Sequence, residues 1–151
     1  MIDLFLKGQV IFMDEIEQRK QLQSLAAEAD VHQRRAQEMQ NQMQALQMAD
    51  VEVEKTTEAL NNLKENKTTM FSLGAGMFVK GEMKDISKLL VNVGSNTLIE
   101  MDAENALKFL GERKDEIDKG REELLKGMQA LSNRLRAIDV EARSIIGKQE
   151  H

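Results

Sequence analysis

The chain has no cysteine, no proline, no tryptophan and no tyrosine. Without cysteine there is no disulfide, no thiolate nucleophile and no Cys-ligated metal. The only histidines are His32 and His151, so a His-ligated metal site is equally disfavoured. Five phenylalanines are the whole aromatic content of 151 residues, and the bulk that usually fills a globular core is missing. A basic excess is missing too. The net charge of −5 argues against nonspecific nucleic-acid binding, which needs a cationic face to displace counterions. No run approaches the roughly 20 apolar residues that span a bilayer. The apolar stretch from Met1 to Met13 does not read as a signal peptide. Asp3 stands where a basic region belongs, and Asp14, Glu15 and Glu17 follow with no small-residue cleavage site. The expectation is a cytosolic chain with no metal, cofactor, nucleic acid or membrane as partner. No nucleophile, base and oxyanion donors can be assembled into an enzyme site.

What is present is helical material: Leu, Ile, Val, Ala and ten Met set among Glu, Lys and Gln, with 31% charged residues. The texture divides the chain into an apolar N-terminal segment (1–12), a Gly- and Pro-free helix (13–67), a glycine-punctuated β-like zone (68–101) and a second helix (102–151). Positions 22, 25, 29, 32, 36, 39, 43, 46, 50, 53, 57 and 60 alternate steps of three and four, and nine of the twelve are apolar. The same count from Leu107 to Ile145 gives ten apolar positions in twelve. Six heptads on each side predict a coiled coil. Asp102 before Ala103-Glu104-Asn105 is a good N-cap. Neither helix is stable alone with so narrow a stripe, so each needs the other as an antiparallel partner.

The middle zone must turn the chain around. Residues 68–73 and 77–83 flank Gly74-Ala75-Gly76, and 88–93 and 97–101 flank Gly94-Ser95-Asn96. Each is an apolar or β-branched run about a turn that tolerates positive φ, hence two hairpins. The fold class is therefore α+β: a long antiparallel two-helix coiled coil with two β-hairpins between the helices. Such short strands make a poor domain alone and are expected to complete a sheet with other subunits.

The run Leu73-Gly74-Ala75-Gly76-Met77-Phe78-Val79-Lys80-Gly81, then Leu90-Val91-Asn92-Val93-Gly94, then Ala103-Glu104-Asn105-Ala106-Leu107-Lys108-Phe109-Leu110, resembles the alpha-class subunit of prefoldin. Two departures stand out. Ser72 occupies the place of a proline usual in that family, and Asn96 that of a further turn glycine. The resemblance implies a hexamer of two alpha and four beta subunits whose hairpins form an inter-subunit β-barrel. It also implies capture of unfolded polypeptides at the coiled-coil tips without ATP, and delivery to a group II chaperonin. The other reading is a structural coiled-coil scaffold or tether with a β-mediated oligomerisation core. A peripheral membrane adaptor is disfavoured because the first thirteen residues offer only Lys7 to anionic lipid.

Under the chaperone reading the client-binding candidates are Ile2, Leu4, Phe5, Val10, Phe12 and Met13 at one chain end and Ile145 and Ile146 at the other. An exposed apolar patch suits promiscuous binding, and Met adds adaptability. Packing on a neighbouring coil, contact with a membrane surface, and a start upstream of a natural beginning at Met13 are the alternatives for this segment. Candidates for the oligomer contacts are Met70, Leu73, Val79, Leu89, Val91, Val93, Leu98 and Ile99. The Leu73-Gly74-Ala75-Gly76 element lacks the lysine and the following helix of a nucleotide loop and reads as a turn. His32 falls on the seam with no histidine or carboxylate at i+3 or i+4, and reads as a tolerated core residue. Aligning Leu22 with Ile145 brings Asp50 opposite Ile117, one layer from Lys114 and Arg121. A register-fixing ion pair and three side chains reaching to solvent are both open. Gly120 and Gly127, one heptad apart beside the seam, either permit flexing or lighten a crowded interface.

Overall fold

The structure is a computed structural model describing residues 2–65, 68–85 and 87–147, with side chains from Lys7 onward. The element order is α1 (Ile2–Glu65), β1 (Thr68–Gly74), β2 (Met77–Glu82), β3 (Leu89–Asn92), β4 (Leu98–Met101) and α2 (Ala103–Gly147). Met13 is not an element boundary, because α1 continues to Ile2. The expected helix ends at 66–67 and 148–151 lie outside the described residues. The chain divides into two compact units, one of residues 1–43 with 123–151 and one of residues 44–122.

In the first unit α1 and α2 run antiparallel, since Met39 meets Gly127 and Glu28 meets Arg134. Every seam position from Leu22 to Met43 and from Leu124 to Ile145 is buried or half-buried, as the heptads require. Leu131 and Ile138 are the most enclosed. The Met39 side chain reaches into the space a Cβ on Gly127 would occupy, so this glycine is a notch in the interface.

In the second unit the seam continues from Leu46 to Leu60 against Leu107 to Arg121, with Val53, Leu60 and Ile117 buried. Leu46 Cδ1 lies 3.2 Å from the place of a Cβ on Gly120. Asp102 caps α2 as expected: its Oδ1 accepts from the Asn105 amide at 2.8 Å, and its carbonyl accepts from the Ala106 amide at 2.9 Å. Leu60, Ala103 and Ala106 form a small core on which Leu89, Val91 and Met101 of the second hairpin pack. The two alanines let the strands come close to the helices.

Both hairpins are antiparallel and each is a separate two-stranded sheet. In β1–β2 the register skips from Ser72↔Phe78 to Gly74↔Met77, which makes Leu73 the extra residue of a bulge. Ala75 (φ 50°) and Gly76 (φ 77°) then close a two-residue loop with both residues left-handed. In β3–β4 the Thr97 amide donates to the Gly94 carbonyl at 2.8 Å, across Ser95 (φ 48°) and Asn96 (φ 59°). Asn is the non-glycine residue best suited to that conformation, which is why the family's glycine is dispensable at Asn96. Across β1–β2 the Phe71 ring lies over Gly81, covering a strand position that has no side chain of its own.

The two glycine environments predict opposite responses. A Cβ at Gly127 meets only the flexible end of Met39, so Gly127→Ala should raise helix stability, by up to about 1 kcal/mol. A Cβ at Gly81 comes 2.7 Å from Phe71 Cε2 and must displace the ring, so Gly81→Ala should lower amide protection in β1–β2. Urea melts followed by circular dichroism check the first, and hydrogen exchange checks the second.

Candidate binding surfaces

The first surface is the N-terminal part of α1. Val10, Phe12 and Met13 are 67%, 64% and 72% exposed, and Ile11 and Ile16 join them. The side chains of Ile2, Leu4 and Phe5 lie outside the described residues. At the end of α2, Ile145 is half-buried on the seam and Ile146 is exposed. Ile16 was not among the sequence candidates. It lies one helical turn beyond Phe12, a spacing that marks it as part of the same stripe.

The second surface is formed by the hairpins. Strand pairing places Met70 opposite Lys80, and Val79 opposite Phe71, so Met70 and Val79 are on opposite faces of β1–β2. Phe71, Met77 and Val79 share a face with Thr69 and Gly81, whereas Met70 shares the other with Phe78, Lys80 and Glu82. Leu73 is exposed at the bulge. In β3–β4, Leu89, Val91 and Ile99 share the face that packs on the helices, Leu98 and the 71%-exposed Leu90 share the outer one, and Val93 is half-buried at the turn. The eight candidates therefore span both faces of both hairpins. The exposed Phe71, Met77, Phe78 and Leu90 were not among them. Strand parity counted from each turn is the signal that separates the faces.

A groove of about 690 Å³ runs between α1, β3 and α2 in the second unit. It is lined by Ala49, Val53, Thr56, Leu60 and Leu63, by Leu89–Asn92, and by Phe109 and Arg113. Consecutive residues of β3, which point to alternate faces, all line it, so the groove follows the strand's edge. Among the described residues β3 pairs only with β4, and that edge is open.

Charged groups decorate the seam itself. Asp50 Oδ1 accepts from Lys114 Nζ at 2.8 Å and its Oδ2 from Arg121 Nη1 at 3.2 Å. Lys114 also donates to Glu54 Oε1 at 2.9 Å, and Arg121 approaches Asp118 at 3.7 Å. The three sequence-selected residues thus meet in one network, with Glu54 and Asp118 as members the heptad count did not reveal. Hydrogen bonds donated to Asp50 and Glu54 hold the Lys114 ammonium above its ordinary pKa.

In the other unit Arg134 donates twice to Glu28, Nε to Oε1 at 2.6 Å and Nη2 to Oε2 at 2.8 Å. This bidentate bond brings the Glu28 carboxyl down to about 2, with His32 helping and partial desolvation opposing. His32 Nε2 lies 3.2 Å from Glu28 Oε1, so its carboxylate partner is at i−4, the direction the forward count missed. Its Nδ1 is withdrawn from solvent with no hydrogen-bond partner among the described residues. No helix among the described residues is long and apolar enough to cross a membrane.

The prefoldin-subunit family model matches residues 32–148. The alpha prefoldin subunit of Pyrococcus horikoshii is 31% identical over 134 residues, covering 86% of this chain and 90% of the relative. That of Thermofilum pendens is 32% identical over 118 residues, covering 76% and 92%. A cryo-EM structure of filamentous PFD from Methanocaldococcus jannaschii is similar in fold, with a TM-score of 0.66 at 21% identity over 77% of this chain and 99% of that one.

Two experiments follow from the charged groups. In a double-mutant cycle, Asp50→Asn and Lys114→Met should each destabilise the helix pair, and together they should cost clearly less than their sum. Arg121→Met should couple to Asp50→Asn in the same way. For Glu28, the folded pKa lies below the ordinary 4.5, so its contribution is full above that value and is lost as pH falls toward about 2. The difference in thermal midpoint between wild type and Glu28→Gln should therefore be constant from pH 7 to 5 and shrink between pH 4.5 and 2.

Proposed function

Because the chain belongs to the prefoldin family, a family of chaperone subunits, we propose that it is an ATP-independent holdase subunit of the alpha class. It captures unfolded polypeptides at its coiled-coil tips and delivers them to a group II chaperonin in the cytosol. The observation that carries the capture step is the run of exposed apolar side chains on α1 from Val10 to Ile16, on a stretch where every side chain from Lys7 to Glu17 is exposed. A soluble helix rarely displays so much contiguous apolar surface unless something binds there. Capture of this kind needs no nucleotide, because burial of client apolar surface supplies the free energy.

For assembly the proposal is pairing with beta subunits, two alpha to four beta, through the hairpins. The open edge of β3 beside an apolar groove suits an incoming strand, which gains main-chain hydrogen bonds while its side chains cover the groove. The mixed apolar faces of β1–β2 are largely exposed among the described residues and would be a hazard in a monomer. Asp50, held by Lys114 and Arg121, acts in this reading as the residue that fixes helix register, at some cost in stability. A second reading, a self-assembled scaffold, draws on the same open edges and on the filamentous form of the Methanocaldococcus jannaschii protein. Mixed with a beta-class prefoldin subunit, the full chain should give a two-to-four complex by native mass spectrometry and suppress aggregation of a denatured client. Deletion of residues 2–12 should leave the complex intact and weaken suppression severalfold. A chain that ignores the beta subunit and builds its own assembly would favour the scaffold, and unchanged suppression would remove the N-terminal segment from client capture.

A further inference from the structure

Apart from Ile11, the exposed apolar side chains near the N-terminus of α1 do not continue its seam. Carrying the heptad back from Leu22 gives Gln18, Glu15, Ile11 and Gly8, a line that is polar or bare except at Ile11. Ile16, Val10 and Met13 fall instead about 120–180° around the helix from that line, with Phe12 about 80° from it at the edge of the stripe nearer the seam. All four are exposed. The contact of Met39 with Gly127 sets opposite positions to sum to 166, which brings Gly147, the last residue of α2, level with residue 19. The stripe therefore lies beyond the level of Gly147, the last described residue of α2, and, apart from Phe12 at its edge, on the side of α1 turned away from the seam.

Its borders are acidic. Asp14 and Glu17 flank the edge formed by Val10 and Met13, and Glu15 flanks the edge formed by Phe12. None of these carboxylates forms an ion pair among the described residues. Lys7 sits on the seam side, and Arg19 and Lys20 close the C-terminal end. A segment lying along the stripe meets apolar side chains in the middle and unpaired carboxylates on both long edges.

Building on the holdase reading, we propose that this off-seam stripe is a docking face for client segments whose apolar residues are flanked by Lys or Arg. Apolar burial on Phe12, Met13, Ile16 and Val10 supplies the binding energy, with Met13 adapting to irregular shapes. The three rim carboxylates supply selection and faster encounter rather than bulk affinity, because exposed charge pairs are individually weak and screened by salt. A segment flanked by Glu or Asp meets like charge along both edges.

The test uses the full chain alone and two fluorescent peptides with the same apolar core, one flanked by Lys and one by Glu, titrated by anisotropy in 50 mM and 500 mM salt. The Lys-flanked peptide should bind about tenfold more tightly in low salt, the sum of three weak rim pairs. That preference should disappear in high salt and in Asp14→Asn/Glu15→Gln/Glu17→Gln. Phe12→Ser/Ile16→Ser should lose both peptides while keeping wild-type helicity. Equal affinity for the two peptides in low salt overturns the charge selection. Wild-type binding by Phe12→Ser/Ile16→Ser overturns the stripe as the docking face while leaving the holdase reading to stand or fall on the deletion of residues 2–12. Self-association abolished by Phe12→Ser/Ile16→Ser would give the face to a second copy. Displacement of the peptide by anionic lipid vesicles would give it to a membrane. Either result overturns the proposal.

Discussion

Two narrow apolar stripes facing one another are the constraint from which the rest of this molecule follows. A helix whose burial is confined to one residue in three or four gains too little alone to offset its ordering, so α1 and α2 exist as helices because each is the other's core. With no Trp or Tyr to fill space, the seam is built from Leu, Ile, Val, Ala and Met, and fit is adjusted residue by residue. Gly127 accommodates the end of Met39, and Gly120 accommodates Leu46. At the end nearest the hairpins, Ala103 and Ala106 thin the helix so that Leu89 and Val91 can reach Leu60. Gly120 and Gly127 are thus part of the packing rather than breaks in it.

The charged groups that enter the seam have partners of opposite charge. Asp50 has a 17% exposed side chain, and a lone carboxylate in that position would be costly to desolvate. It is met by two cations from α2, which are met in turn by Glu54 and Asp118, so no charge in the group is left alone. Replacing such a group with hydrocarbon often raises stability, and the gain from keeping it is therefore better sought in alignment than in energy. An all-apolar stripe of period seven tolerates a shift by one heptad, whereas a shifted Asp50 would keep only one of Lys114 and Arg121. Glu28 and Arg134 add a second alignment-sensitive contact in the other unit.

The features legible in the sequence were those with local causes. The seam positions follow from spacing, the start of α2 from Asp102, and the two turns from Gly74-Ala75-Gly76 and Gly94-Ser95-Asn96. The meeting of Asp50 with Lys114 and Arg121 needed only a register sum. What escaped depended on one-residue shifts or on looking across the pair. The bulge at Leu73 changes the count between turn and strand, and choosing apolar residues without counting parity mixed Met70 with Val79 and Leu98 with Leu89. Glu28 and Arg134 sit beside the seam rather than on it, so a stripe count passes over them. The continuation of α1 to Ile2 was hidden because the seam line turns polar at Gln18 and Glu15 and bare at Gly8, and a broken stripe reads as the end of an element.

A change of face is what lets one helix serve two ends. Where α1 is paired, its seam residues point at α2 and are withdrawn from solvent. Toward the N-terminus the seam line turns polar at Gln18 and Glu15, and Val10, Met13 and Ile16 stand on the other side, away from the described part of α2. A continuous helix presents them with fixed spacing and little ordering cost on binding, in contrast to a flexible segment of the same composition. Exposed apolar surface invites self-association, and here the carboxylates of Asp14, Glu15 and Glu17 border it in a chain already carrying −5. Like charge along the rim opposes the approach of an identical stripe while leaving it open to a segment of opposite charge. On the docking proposal, the same three residues oppose pairing with an identical stripe and favour a segment of opposite charge.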